Sequence, residues 1–97
     1  MKNDSTVVIF RKYNNGTVIA IFPEIPSTSD PYTCMSYEHV GQHGPCSIDI
    51  VSITKPAQWE EYDSLMEELK SIGYHLKVRN RLHPRYLQQR IEALKVI

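Results

Sequence analysis

Residues 6–22, TVVIFRKYNNGTVIAIF, decide the fold of this chain because they contain its strongest strand signal. Residues 6–13 are rich in the β-branched and aromatic residues that favour strands. The Asn15-Gly16 pair that follows suits the positive φ values of a tight turn. Residues 17–22 are apolar at nearly every position, which indicates a central strand or one with both faces partly covered. We therefore predict a β-hairpin.

A third strand is predicted over residues 32–40, after a turn-rich loop. Pro23 and Pro26 end the hairpin because proline donates no hydrogen bond to a ladder. Strand alternation puts Thr33, Met35, Tyr37 and His39 on one face, and Cys34, Ser36, Glu38 and Val40 on the other. Residues 41–45 are predicted as a glycine-flanked loop and residues 48–53 as a fourth strand.

The second half of the chain carries helical periodicity. In residues 57–72 the apolar side chains form one helical stripe, and Gly73 suits the left-handed cap beyond it. Residues 74–79 alternate as a fifth strand, and Pro84 opens a last helix with a narrow apolar stripe of Leu87, Ile91 and Leu94. We predict a single α+β domain, residues 1–97, with an antiparallel or mixed sheet and two helices packed on one face.

Composition limits the classes of function. Eleven basic and eleven acidic side chains cancel, so no global field draws the 97-residue chain to nucleic acid or to a membrane. The first apolar stretch is too short for a signal peptide or a membrane span, which favours the cytoplasm. There, the two cysteines are expected to be free thiols.

Residues 34–46 concentrate side-chain chemistry that the rest of the chain lacks. An aromatic ring can stack on a planar ligand, imidazoles can donate or accept, an amide can read a base edge, and glycines allow close backbone approach. Arg11 and Lys12 could add charge for a phosphate. The predicted ligand-binding residues are Arg11, Lys12, Tyr37, His39, Gln42, His43 and Gly44.

Two other chemistries are open for the same stretch. Cys34, His39, His43 and Cys46 supply the four ligands of a tetrahedral zinc site, although a continuous strand would point Cys34 and His39 to opposite faces. Cys34 with His43 as base could form a nucleophilic pair. No nucleophile elbow, zinc-protease pair or phosphate loop is present in the sequence, which weighs against an enzyme. No cofactor is predicted, and free thiols with polar imidazoles are the simpler alternative.

A basic C-terminal segment gives an alternative function. Lys77, Arg79, Arg81 and Arg85 could hold nucleic-acid phosphates together with the N-terminus of the last helix. Residues 57–72 carry five acidic side chains and one lysine. The two segments could instead neutralise each other across adjacent surfaces.

One string of the sequence has a family resemblance. Residues 34–44, CMSYEHVGQHG, together with residues 8–13, 16–24 and 60–74, resemble small uncharacterised proteins of phages and mobile elements. The resemblance implies an accessory protein, with counter-defence against host immunity as a role. Residues 45–58 depart from that group, in which Cys46 has no counterpart. A fainter likeness links the hairpin and the FPEIP string at residues 22–26 to HicB-type antitoxins.

Together these features predict a small, non-enzymatic binding protein of a phage or mobile element. Its strand and loop at residues 37–44 would sequester a nucleotide-like ligand or block a host protein. The alternative is a nucleic-acid-binding or antitoxin-like regulator that uses the basic C-terminal segment. No membrane partner is expected, and the hairpin tip and last helix leave surface that a second copy could cover.

Overall fold

Six strands and three helices form the part of the chain that the computed structural model describes, residues 5–38 and 42–95. The strands are β1 (Thr6–Lys12), β2 (Val18–Phe22), β3 (Thr33–Glu38), β4 (Gln42–Ser47), β5 (Lys55–Pro56) and β6 (Leu76–Val78). The helices are α1 (Ile50–Ile53), α2 (Trp59–Ile72) and α3 (Pro84–Leu94). None of these described helices has both the length and the apolar character needed to cross a bilayer.

The predicted hairpin is confirmed and lies at the centre of the sheet. The strand order is β4-β3-β2-β1-β5 with antiparallel neighbours, and β6 pairs in parallel with the first half of β1. In the turn, the Gly16 N–H donates to the Tyr13 carbonyl at 2.9 Å. Gly16 has a φ of +91°, which a side chain would make unfavourable. Because β6 pairs in parallel and the other strands pair antiparallel, the sheet is mixed. The predicted α+β class is confirmed.

Both faces of the sheet are covered. The first face carries an apolar cluster built on Phe10, Phe22 and Tyr37, over which α2 places Leu65 and Leu69. The second face carries Ile9, Ile19, Ile21 and Cys34, with side chains of residues 46–51 packed against them. All five residues of β2 are buried, as expected for a strand covered on both sides.

Helix α3 is held by polar contacts as well as by its apolar stripe. Its buried residues are Tyr86 and Arg90. Arg90 is 2% exposed and donates to the carbonyls of Pro31 and Pro23 at 2.7 and 2.6 Å. Side chains of α3 also share a groove with Ile48, which packs against the second cluster. Helix α2 thus packs on the first cluster, and α3 lies beside Ile48 and the loop between β2 and β3.

The segment between residues 41 and 53 differs from the prediction. Residues 42–47 are a strand where a loop was expected, and residues 48–53 form a turn and the short α1 where a strand was expected. Pro45 fits this strand because it lies opposite Met35 in the ladder, at a position that needs no N–H donor. Helix α1 forms because the buried Arg11 guanidinium binds the carbonyls of Val51 and Thr54 at its C-terminal end.

Candidate functional site

Tyr37 is a core residue in this fold. Its side chain is 1% exposed, because strand alternation turns it toward the face that α2 covers. Its ring meets the His43 ring edge to face at 4.6 Å, and its hydroxyl donates to the Glu68 carboxylate. The ring therefore has no open face for a ligand, which corrects the expectation that it is a stacking platform.

Among the described residues of the predicted strand-loop site, His43 is exposed. It lies directly opposite Tyr37 in the ladder, and its Nε2 is 2.9 Å from the Tyr74 hydroxyl. Gly44 lies opposite Ser36, whose hydroxyl donates to the Gly44 carbonyl at 2.9 Å. His39 and the Gln42 side chain lie outside the described residues.

Arg11 and Lys12 are not brought to the strand-loop. They lie on β1, which β2 and β3 separate from β4. Arg11 is 8% exposed and donates from Nε to the Thr54 hydroxyl at 3.0 Å. Lys12 points to the other face and forms an ion pair with Glu61 of α2. Both side chains already have partners within the fold, so neither is placed to bind a ligand beside His43.

The predicted zinc set is divided between the two faces of the sheet. Cys34 lies opposite Cys46 with the two Sγ atoms 3.7 Å apart, and both face the second cluster. His43 is on the first face, and His39 is outside the described residues. Residues 5–38 and 42–95 contain no group of three or more side chains that could hold a metal. The same separation leaves Cys34 without His43 as a catalytic base.

The basic residues of the alternative site are exposed and close in the chain. We call Lys77, Arg79, Arg81 and Arg85 the basic edge. It starts on β6, which pairs with β1, continues through the following loop and ends in the first turn of α3. The Arg79 N–H donates to the Val8 carbonyl at 2.9 Å, and the His83 ring accepts from the Arg85 N–H at 3.1 Å. These bonds position the backbone and leave the cationic side chains at the surface.

An aromatic side chain lies beside the basic edge. An open cleft of about 540 Å³ is lined by Trp59, Tyr62, Asn80 and Arg81, among others. Trp59 is 53% exposed and meets Tyr62 edge to face at 5.6 Å. The helical periodicity of residues 57–72 predicted Trp59 to lie in the apolar stripe of α2. Trp59 lies in the first turn of α2, where the apolar stripe of a helix can extend beyond the core. This position is the sequence signal that could have indicated an exposed ring.

No ion pair among the described residues joins the acidic helix α2 to the basic edge. The ion pairs within the described part of the chain are Lys12–Glu61, Lys70–Glu67 and Lys95–Glu92. None of them includes a residue of the basic edge. The alternative in which the two oppositely charged segments cancel is therefore not seen in the described contacts.

No protein-family model matches the sequence, and no curated protein and no solved structure matches it.

Proposed function

We propose that this chain is a non-enzymatic binding protein whose basic edge holds single-stranded nucleic acid. The observation that supports the proposal most is the set of four exposed cations without carboxylate partners in the described contacts. Cations of this kind bind phosphates by releasing the counterions condensed on the strand. Because the chain has no net charge, the attraction must act locally, over the basic edge.

Trp59 favours a single strand over a duplex. Its exposed ring lies in the same cleft as Arg81 and Asn80. Unpaired bases stack on aromatic rings without sequence preference, and an Asn amide can bond to base edges. A lysine on an outer strand such as β6 also discourages edge-to-edge pairing. That role accounts for Lys77 alone and not for the arginines of the following loop.

The biological setting of this proposal comes from the sequence. The short first apolar stretch favours the cytoplasm, and the resemblance to phage and mobile-element proteins suggests counter-defence. The faint HicB likeness covers only the hairpin and concerns its geometry, not its function. Neither resemblance identifies the bound strand.

The strand-loop surface is a second candidate, supported by His43. This ring is exposed, and its Nε2 is 2.9 Å from the Tyr74 hydroxyl. Such a surface, with Gly44 beside it, would contact a host protein or a nucleotide-like ligand. Tyr37 would support it from inside the core by packing under the His43 ring.

Anisotropy of a labelled single-stranded oligonucleotide, titrated at several salt concentrations, tests the first proposal. Arg79→Gln/Arg81→Gln should weaken binding at least about tenfold at low salt and reduce the salt slope by about one to two. The matched control, Lys70→Gln/Lys95→Gln, removes the same charge from paired surface lysines and should change affinity less than about twofold. Trp59→Ala should cost about 1–3 kcal/mol of binding free energy.

Three results decide the proposal. Absence of salt-dependent binding in the parent protein contradicts it. Equal losses in the two double variants would show attraction to charge in general and no defined site. If the parent protein captures a host protein or a nucleotide and His43→Ala abolishes the capture, the strand-loop is the functional surface.

A further inference from the structure

The two cysteines face each other across the outer strands of the sheet. Cys34 of β3 is directly opposite Cys46 of β4, and their Sγ atoms are 3.7 Å apart. Cys34 is fully buried, whereas Cys46, on the strand at the end of the sheet, is half-buried. An oxidant arriving from solvent therefore reaches Cys46 first.

The ladder places the two Cα atoms at a distance that a disulfide can span. The Ile48 N–H donates to the Tyr32 carbonyl, and Pro45, which has no N–H, faces Met35. In this alternation Cys34 and Cys46 form a hydrogen-bonded pair, whose Cα atoms are about 5.5 Å apart. Disulfides bridge Cα atoms about 4.4–6.8 Å apart, so side-chain rotation with a small approach of the two strands would join the sulfurs.

The surroundings give the two thiols different reactivity. The hydrogen bond with Cys34 lowers the pKa of Cys46, and the Ser36 hydroxyl and the Arg90 charge act in the same direction, against burial. The same bond to Cys46, together with burial, raises the pKa of Cys34. The Tyr13 phenol also interacts with Cys46. Cys46 is thus the attacking thiolate and Cys34 the thiol that resolves its oxidised form.

We propose that Cys34 and Cys46 are a reversible redox pair, which a hydroperoxide closes to a cross-strand disulfide and a thiol reductant reopens. The Cys46 thiolate attacks a peroxide oxygen, the O–O bond breaks, and the released oxygen takes a proton and leaves as water. Cys34 then attacks the Cys46 sulfenic acid, the S–O bond breaks, and the hydroxyl leaves as water with the Cys34 proton. One hydrogen peroxide and two thiols give one disulfide and two waters.

This proposal is independent of nucleic-acid binding. The pair faces the second cluster of the sheet, and none of its described partners belongs to the basic edge. Failure of one proposal therefore leaves the other standing.

Intact-mass measurement of the reduced, folded full chain tests the pair. With hydrogen peroxide near stoichiometric amounts, the chain should lose two hydrogens, stay monomeric on a non-reducing gel and recover its mass with dithiothreitol. Before oxidation, a brief pulse of iodoacetamide followed by peptide mapping should label Cys46 at least about ten times faster than Cys34. Cys34→Ser should leave a Cys46 sulfenic acid that dimedone traps.

The opposite results overturn the proposal. In the first, both thiols survive peroxide that oxidises glutathione in the same tube. In the second, oxidation gives only dimers between chains. In the third, iodoacetamide labels the two cysteines equally fast. The labelling and mass readouts use the parent protein, so they decide the matter even if a serine variant does not fold.

Discussion

Arg11 and Arg90 carry their charges inside the protein, 8% and 2% exposed. Their described hydrogen bonds go to backbone carbonyls and one hydroxyl, with no carboxylate among them. A buried cation that satisfies several acceptors holds together backbone segments that lack a regular ladder of their own. Arg11 does this for α1, and Arg90 for the loop between β2 and β3.

Arg11 is predicted to be needed for stability and not for binding. Arg11→Met should lower the free energy of unfolding by about 2–4 kcal/mol, because it leaves the acceptors at Val51 and Thr54 without their donor. Urea denaturation followed by circular dichroism measures the change. The exposed control, Arg81→Met, should change stability by less than about 0.5 kcal/mol. If the Arg11 variant and the parent protein have the same free energy of unfolding, Arg11 is again a candidate ligand-binding residue.

At the scale of the element, contacts in the first turn of α2 hold this helix to the sheet. The Gln58 N–H donates to the Glu61 carboxylate at 2.7 Å, and Lys12 of β1 forms an ion pair with the same carboxylate. These two contacts satisfy an N-terminal donor of the helix and tie it to the central hairpin. At the other end, the Gly73 N–H donates to the Lys70 carbonyl at 3.0 Å, with a φ of +120°.

Because the first-turn contacts of α2 involve a carboxylate, the free energy of unfolding should depend on pH in the acid range. The Gln58 N–H, followed by Lys12, holds the pKa of Glu61 below its usual range. The folded state therefore favours the charged carboxylate. Its contribution is present above the ordinary glutamate pKa of about 4.3 and is lost as pH falls through the lowered value.

Unfolding free energies between about pH 6 and pH 3 measure this effect. Glu61→Gln should flatten the loss of stability on the acid side relative to the parent protein. Glu60→Gln, which removes an exposed neighbouring carboxylate with no described ion pair, should retain it. A parent-like acid profile in the Glu61 variant would mean that its contacts do not persist in solution.

At the scale of the whole molecule, the two apolar clusters share one pair of strands. Neighbouring residues of β1 point to opposite faces, so Phe10 enters the cluster under α2 and Ile9 enters the other. Neither cluster can lose its strands while the other remains intact. The protein should therefore unfold as one cooperative unit.

Substitutions on the two faces test this cooperativity. Leu65→Ala and Ile9→Ala should each lower stability by about 2–5 kcal/mol, because both side chains are at most 1% exposed. In each variant, far-ultraviolet circular dichroism and Trp59 fluorescence should report the same midpoint. Separate midpoints, or a biphasic curve in the Ile9 variant alone, would show that the faces unfold independently.

Much of the secondary structure could be predicted from the sequence. The hairpin, α2 and the start of α3 follow from residue types, periodicity and caps that lie within a few positions of each other. Residues 42–53 were predicted incorrectly, because glycine and proline signals were read as a loop. Residues 42–47 form a strand because β3 offers a ladder in which Pro45 needs no donor.

The candidate site was less predictable. Clustering within residues 34–46 pointed to Tyr37, which lies in the core. Charge suggested Arg11 and Lys12, which contact other segments of the fold. Lys77, Arg79, Arg81 and Arg85 were recognised as an alternative site from their charge. Trp59 was not associated with them, because it is separated from Arg81 in the chain and the cleft forms only after folding.

The sequence by itself determined the hairpin, the long helix and the segregation of charge, since these depend on local dihedral preferences and on the spacing of side chains. Only the tertiary structure decided which charges are buried, which thiols face each other and which aromatic ring is exposed. Arg11 meets Thr54 across 43 positions and Cys34 meets Cys46 across 12. Burial is a property of the partners that a segment meets, and those partners are chosen by strand order and helix docking.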